Sequence, residues 1–236
     1  MLRRILKSWR RTAMLNDDIK FDGLQRGTRV LTGKTAAAKR RLINEWADHL
    51  VRWDYMEVEL PSIEARSLYV DKAGEEIVER QMYTFKDKGD RDVCLRPEGT
   101  ATCQLIAQKY KYDRDIKLFY ETRCWRYERP QEGRYREFTQ FGVEILNPRE
   151  DYANDLKGLS CSFLSRAGLK EGVDFFLNDG AKRGLAYYEG GIGWEIEVPI
   201  LGAQKQVLGG GAYAEGIGFA IGVDRLILAL QKKELI

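Results

Sequence analysis

The segment "RCWRYERPQEGRYREFTQFGVE", residues 123–144, carries five arginines and four glutamates but no lysine. With its neighbours it predicts a β-hairpin: a strand over 116–128, a loop over 129–137 that contains Pro and Gly, and a returning strand over 138–146. Two strands joined by so short a loop pair antiparallel, so the segment predicts an antiparallel unit.

Period-two alternation divides this hairpin into two faces. One face is apolar and can cover a core; it carries Trp125, Tyr127, Phe141, Val143 and Ile145. The other face carries Cys124, Arg126, Glu128, Phe138, Gln140, Gly142 and Glu144. The forked guanidinium of arginine suits phosphate and carboxylate oxygens. This face therefore predicts a nucleotide or anion cleft, and a solvated outer face remains the alternative.

The rest of the chain adds helices and further paired strands. Helices are predicted over 33–53, 99–111 (with Thr100 as N-cap), 151–168 (closed by Gly168) and 223–233. Strands are predicted over 55–63 (ending at Pro61), 82–87, 92–96, 173–179, 184–190, 193–201, 205–211 and 216–222. The strands come in hairpins and do not alternate with helices. The predicted fold class is therefore α+β, an antiparallel sheet of six to seven strands flanked by helices.

Composition limits the function classes. The 236 residues, 44% of them hydrophobic, fit one globular domain, and the net charge of +3 permits anionic partners without requiring them. The four cysteines form no CxxC pair and the chain has one histidine, His49. A metal site is therefore not expected, reduced thiols are, and His49 on its helical pattern is interpreted as structural. No apolar run is long enough for a membrane span.

We predict a basic N-terminal arm over residues 1–16, followed by one domain over 17–236. The first fifteen residues, "MLRRILKSWRRTAML", hold five basic residues and no acid. Such an arm is typical of a solvated basic helix, an organelle presequence, a membrane-surface helix or a nucleic-acid-binding arm. We predict a cytoplasmic protein and leave organelle targeting open.

Three further motifs carry candidate functional residues. In "GIGFAIGVDRL", residues 216–226, one strand face bears only Gly or Ala, and Arg225 follows in the first turn of a helix, where a cation opposes the helix dipole. In "LRPEGTA", residues 95–101, Glu98 can bind an ammonium group. In "KRGLAYYEGGIG", residues 182–193, Arg183 precedes a glycine and two tyrosines.

In their order along the chain, these segments resemble the catalytic core of histidyl-tRNA synthetase, a class II aminoacyl-tRNA synthetase. The resemblance runs from about Gly27 to the C-terminus. It implies a homodimer built around the helix and strand that end at Pro61, and ATP bound together with Mg²⁺. It also implies that Arg126 holds the α-phosphate, that Glu128 and Phe138 hold the adenine, and that Arg134 and Arg225 meet the outer phosphates.

The resemblance implies an amino-acid site as well. Gln140 would orient the α-phosphate region, and Arg183 would stand near the α-phosphate where other families use a metal ion. Glu98, with Thr100 beside it, would take the amino acid's ammonium group. Glu144 and Tyr188 would line the pocket for a histidine side chain.

The chain also departs from the family pattern. The inserted helical domain expected between "FFLND" and "RGLAYY" is missing, and after the last helix we expect the anticodon-binding domain to be absent. We therefore predict ATP-dependent activation of an amino acid, histidine or a relative, to an aminoacyl-adenylate, with tRNA or another molecule as acceptor. The alternative is a non-catalytic paralogue that acts as a regulatory or tRNA-sensing subunit.

Overall fold

The computed structural model describes residues 23–73, 80–110, 114–182 and 188–236. The predicted basic arm over 1–16, Arg183 and most of the predicted strand over 184–190 lie outside these ranges. None of the helices in the described ranges is both long and apolar enough to cross a membrane.

A seven-stranded sheet forms the centre of the molecule. Its strands are β1 (Met56–Glu57), β5 (Ile116–Trp125), β6 (Glu137–Leu146), β7 (Phe176–Lys182), β8 (Ile192–Glu197), β9 (Gln206–Tyr213) and β10 (Gly216–Gly222). They follow the spatial order β1-β5-β6-β10-β9-β8-β7. The predicted hairpin over 116–146 is confirmed as β5 and β6, with Cys124 opposite Phe138.

The sheet differs from the prediction at one edge, where β1 pairs parallel with β5. The single strand expected over 55–63 is wrong as well. It divides into β1 and a separate β2 (Ile63–Ala65), which joins β3 (Thr84–Lys86) and β4 (Asp92–Leu95) in a three-stranded sheet. Pro61 lies between the two parts, and its lack of an N–H ends the pairing there.

In the described ranges, the two sheets are flanked by the helices α1 (Gly33–Val51), α2 (Ser67–Ala73), α3 (Thr100–Lys109), α4 (Ala153–Arg166) and α5 (Val223–Lys232). The main core unites α1, α4 and α5 with the apolar sheet face, and Trp46 stacks on Phe163 with ring centroids 5.3 Å apart. His49 contacts Trp53 and Phe163 on the same side of the molecule, as its structural interpretation predicts. A second cluster joins α3 to the opposite sheet face.

Two local predictions are corrected. Thr100 is not an N-cap but the first residue of α3, and the cap is made by Glu98, whose carboxylate accepts the N–H groups of Thr100 (2.7 Å) and Ala101 (3.0 Å). The strand expected over 184–190 is absent from its described part. There Tyr188 makes a single bridge to Tyr213, and Glu189–Gly191 turn as a 3-10 helix with two glycines at positive φ.

Candidate active site

A single cavity on the polar face of β6 and β10 collects most of the predicted site residues. Nine of them line it: Glu98, Thr100, Arg126, Glu128, Arg134, Phe138, Gln140, Tyr188 and Arg225. They come from the β4–α3 junction, the β5–β6 hairpin, the segment before β8 and the start of α5. Residues up to 127 positions apart thus meet in one place, because β10 pairs with β6 and brings α5 to the hairpin.

Arg126 directly follows the last residue of β5 and lies against an aromatic ring. Its guanidinium carbon is 5.1 Å from the centroid of Phe138, and its Nε donates to the carbonyl of Pro97 at 3.0 Å. Its two terminal nitrogens have no hydrogen-bond partner in the described part of the chain. The two NH₂ groups of a fixed guanidinium are therefore available to an anion in the cavity.

Glu128 and Arg134, predicted to meet different parts of a nucleotide, form an ion pair with each other across the β5–β6 loop. Arg136 also donates to the main-chain carbonyl of Glu128 at 3.0 Å, which holds the loop in place. The ion pair brings the carboxylate and the guanidinium to the same edge of the cavity. A nucleotide that used both residues would have to replace this pairing with contacts of its own.

Arg225 is the third residue of α5, as the sequence predicts. Carbonyl acceptors offset the unfavourable helix dipole: its Nε donates to the carbonyl of Gly133 at 2.8 Å and its Nη1 to that of Gln206 at 2.6 Å. With Arg126 and Arg134 it gives the cavity three guanidinium groups. Three such groups around one cavity favour a polyanionic ligand.

Asp224 is a buried acid that the sequence analysis did not select. It accepts the N–H of Thr139 on β6, and it forms ion pairs with Arg29 and with the buried Lys39 (3.2 Å). Burial opposes ionisation, but the two cations hold the pKa of Asp224 below its usual value. The start of α5, and with it Arg225, is thereby fixed to β6 and α1. Arg29 lies 195 positions away in sequence, and no local pattern indicates that contact.

Glu144 lies beneath the cavity and does not line it. Its carboxyl accepts hydrogen bonds from the hydroxyl groups of Thr100 (2.8 Å) and Tyr213 (2.8 Å), with Tyr120 at 3.4 Å. Burial raises the pKa of Glu144 to about 8, against the opposing effect of these hydroxyl groups. Gly218 opposite it is required for space, because a Cβ there would overlap the Glu144 carboxylate.

The small-residue face of β10 therefore serves two purposes. Gly218 makes room for a protein side chain, whereas Ala220 and Gly222 line the cavity. Tyr213, which the sequence analysis missed, completes the group around Glu144. Continuing the period-two alternation along β9 would have found it, because Gly209, Gly211 and Tyr213 share one face.

Among the described residues, no group of three or more His, Cys, Asp or Glu side chains is arranged to hold a metal ion. The four cysteines are buried and free. Arg183 is outside the described residues, so its place relative to the cavity stays a prediction.

This fold, an antiparallel-rich sheet carrying the arginine-lined cavity on one face, is that of a class II aminoacyl-tRNA synthetase catalytic domain. A family model described as histidyl-tRNA synthetase matches residues 27–175. The chain is also 30% identical to the histidine–tRNA ligase of Methanosarcina acetivorans, over 86% of this chain and 74% of that protein. The chain belongs to the histidyl-tRNA synthetase family.

Two solved structures share this fold. Apo histidyl-tRNA synthetase from Staphylococcus aureus matches with a TM-score of 0.67 and 27% identity, over 91% of this chain and 71% of that one. A Bacillus halodurans protein described as an ATP phosphoribosyltransferase regulatory subunit/histidyl-tRNA synthetase matches with the same TM-score and 17% identity, over 90% and 84%. The second likeness establishes the fold alone.

The comparison with the Methanosarcina protein also bears on the missing insertion. The alignment runs over 309 positions although this chain has only 236 residues. That relative therefore carries residues within the matched span that this chain lacks.

Proposed function

We propose that this protein uses ATP to activate histidine, or a closely related amino acid, as an aminoacyl-adenylate. The observation that carries the proposal is the convergence of nine predicted nucleotide- and amino-acid-binding residues on one cavity. Family membership supports it, since the relatives are named as histidine–tRNA ligases.

The reaction needs little more than position and charge. One oxygen of the amino-acid carboxylate attacks the α-phosphorus of ATP, a bond to phosphorus forms, and the bond to the bridging oxygen breaks to release pyrophosphate. No proton is transferred in this step, so no histidine base is required. Arg126, Arg134 and Arg225 would hold the phosphates in line and neutralise the negative charge that moves onto the leaving group.

The amino acid would bind beside the phosphates. Glu98 supplies a carboxylate for the ammonium group, and its main-chain hydrogen bonds to the start of α3 fix its direction. Tyr188 lines the same cavity. Glu144 lies beneath the part of the cavity that would take the amino-acid side chain. There its carboxyl would hold the hydroxyl groups of Thr100 and Tyr213 in position.

Magnesium would enter with the nucleotide. Mg²⁺ commonly takes most of its ligands from substrate phosphates and water, with one or two protein carboxylates. Glu98, Glu128 and Asp224 are the carboxylates that line the cavity, and each has protein partners. The donor set fits a metal ion held mainly by ATP.

The proposed reaction also needs a molecule that accepts the activated amino acid. The family uses tRNA, but this chain lacks residues that its Methanosarcina relative carries within the matched span. We propose tRNA, or another molecule bearing a hydroxyl or amine nucleophile, as the acceptor of the activated amino acid.

The test is ATP–pyrophosphate exchange measured with each of the twenty amino acids. We expect exchange with histidine and a loss of at least about a hundredfold in Arg126→Ala, since preorganised charge contributes on that scale. Arg123→Ala is the matched control: Arg123 lies in β5 three residues before Arg126, is exposed and pairs with Glu137 outside the cavity. Arg123→Ala should retain wild-type exchange.

Exchange with none of the twenty amino acids would overturn the proposal. Binding of ATP or histidine without exchange would then favour a non-catalytic regulatory role. Equal loss in Arg123→Ala and Arg126→Ala would mean that the cavity is not the reaction site.

A further inference from the structure

The side-chain amide of Gln140 is held in one orientation by two donors. Its Oε1 accepts the backbone N–H of Gly99 at 3.2 Å and lies 3.2 Å from Sγ of Cys124. A backbone N–H can only donate, so the atom facing Gly99 has to be the oxygen of the amide. The Nε2 group donates to no residue of the described part of the chain, and Gln140 lines the cavity.

Cys124 lies where its thiol can donate to the side-chain oxygen of Gln140. It is fully buried on β5, directly opposite Phe138 and diagonal to Gln140 on the same sheet face. Arg126, Arg96 and Glu98 are the charged groups around the thiol; the two arginines can only donate, and both oxygens of the Glu98 carboxylate already accept main-chain N–H groups of α3. The oxygen of Gln140, 3.2 Å from Sγ, is therefore the acceptor within hydrogen-bond distance of the thiol.

The thiol keeps this hydrogen at physiological pH. Burial raises the pKa of Cys124 to about 12, with Arg126 and Arg96 acting in the opposite direction. A thiolate would instead repel the amide oxygen and favour the flipped amide.

We propose that Cys124 is a positioning residue: with the N–H of Gly99, it turns Gln140 so that the Nε2 group donates to an anionic oxygen of the substrate. The inference rests on the proposed function and specifies the chemistry at one point of its site. An amide NH₂ cannot bind the ammonium group of an amino acid, which needs an acceptor. The ammonium therefore belongs to Glu98, and Gln140 serves a carboxylate or α-phosphate oxygen.

The kinetic test compares Cys124→Ala with Cys124→Ser, in which the hydroxyl restores a donor in nearly the same volume. In exchange assays with histidine, we expect Cys124→Ala to raise the KM for histidine or the KM for ATP about three- to fivefold, which is the effect of one weak hydrogen bond. Cys124→Ser should restore the wild-type value. Cys161→Ala is the matched control, because its buried thiol lies 3.6 Å from Glu171 and away from the cavity.

The substrate that responds identifies the oxygen. A higher KM for histidine, with unchanged inhibition by histamine (which has no carboxylate), assigns the bond to the carboxylate. A higher KM for ATP assigns it to the α-phosphate. The same parameters in Cys124→Ala and wild type, or the same defect in Cys124→Ala and Cys124→Ser, would overturn the positioning role.

A second readout does not depend on activity. The infrared S–H stretching band of Cys124 is isolated by subtracting the Cys124→Ala spectrum from that of the wild type. In Gln140→Leu this band should move to higher frequency, because the thiol loses its acceptor. An unmoved band would overturn the inference even in a protein that exchanges, and a moved band would support it even if the proposed function fails.

Discussion

Glu144 shows how one buried residue can set the pH response of the fold. Its carboxyl is fully buried under the cavity and is surrounded by hydroxyl groups. The pKa of about 8 lies above the ordinary value of 4.5, so at neutral pH the folded protein keeps a proton that the unfolded chain releases. Folding therefore binds protons between these two values, and the free energy of unfolding should fall as the pH rises through this range.

Glu144→Gln is neutral at every pH and should remove this part of the decline. The difference in the free energy of unfolding, mutant minus wild type, should increase steadily from pH 5 to pH 8 in urea titrations. Glu59→Gln changes an exposed carboxylate and serves as the control with no such trend. A difference that is flat with pH would show that Glu144 is ionised in the folded protein.

At the scale of elements, the structure shows which features the sequence could predict. Strands β5, β6 and β10 and their polar face follow from alternation, which depends only on neighbours along the chain. The helix cap made by the Glu98 carboxylate, the ion pair of Glu128 with Arg134 and the contact between Arg29 and Asp224 did not follow. Each of these depends on which of several possible partners a charged side chain meets once the chain has folded.

Asp224 connects three elements, so we expect its substitution to lower the free energy of unfolding. Asp224→Asn leaves Lys39 buried without its counter-charge, and we expect the free energy of unfolding to fall by about 3 kcal/mol. Asp179→Asn, at an exposed ion pair with Lys157, should cost less than about 1 kcal/mol. Adding Lys39→Met to Asp224→Asn should restore part of the loss, because the isolated charge is gone.

The measurement for this set is chemical denaturation monitored by far-UV circular dichroism. A cost for Asp224→Asn no larger than that for Asp179→Asn would contradict the connecting role of Asp224. So would a double variant that is less stable than Asp224→Asn alone.

For the whole molecule, the three-stranded sheet gives the strongest indication of assembly. Its inner side carries Glu64 and Cys94, both buried, while its outer side carries Ile63, Ala65 and Phe85. A buried carboxylate on the inner side and exposed apolar residues on the outer side depart from the usual arrangement, which indicates that the outer side is covered by another surface. The family resemblance implies a homodimer in this region, and we propose that a second copy of the chain covers this sheet.

This assembly would also act on the candidate active site. Glu64, on the inner side of the small sheet, is bonded to Tyr69 and Thr102, and the Tyr69 hydroxyl lies 3.2 Å from the carbonyl oxygen of Glu98. A partner that holds the outer side in place would stabilise the same strands that position Glu98. A variant that cannot form the dimer should therefore also lose amino-acid activation.

Ile63→Asp tests this link, because it places a charge on the outer side of the small sheet, where the side chain is 56% exposed in a single chain. We expect sedimentation velocity to show a dimer for the wild type and a monomer for Ile63→Asp, with pyrophosphate exchange reduced in parallel. Ile192→Asp changes an equally exposed isoleucine, at 55%, at the start of β8, and should remain dimeric and active.

A wild type that sediments as a monomer, or an Ile63→Asp variant that stays dimeric, would mean that the apolar face has another occupant. A monomeric Ile63→Asp variant with full exchange would separate assembly from catalysis.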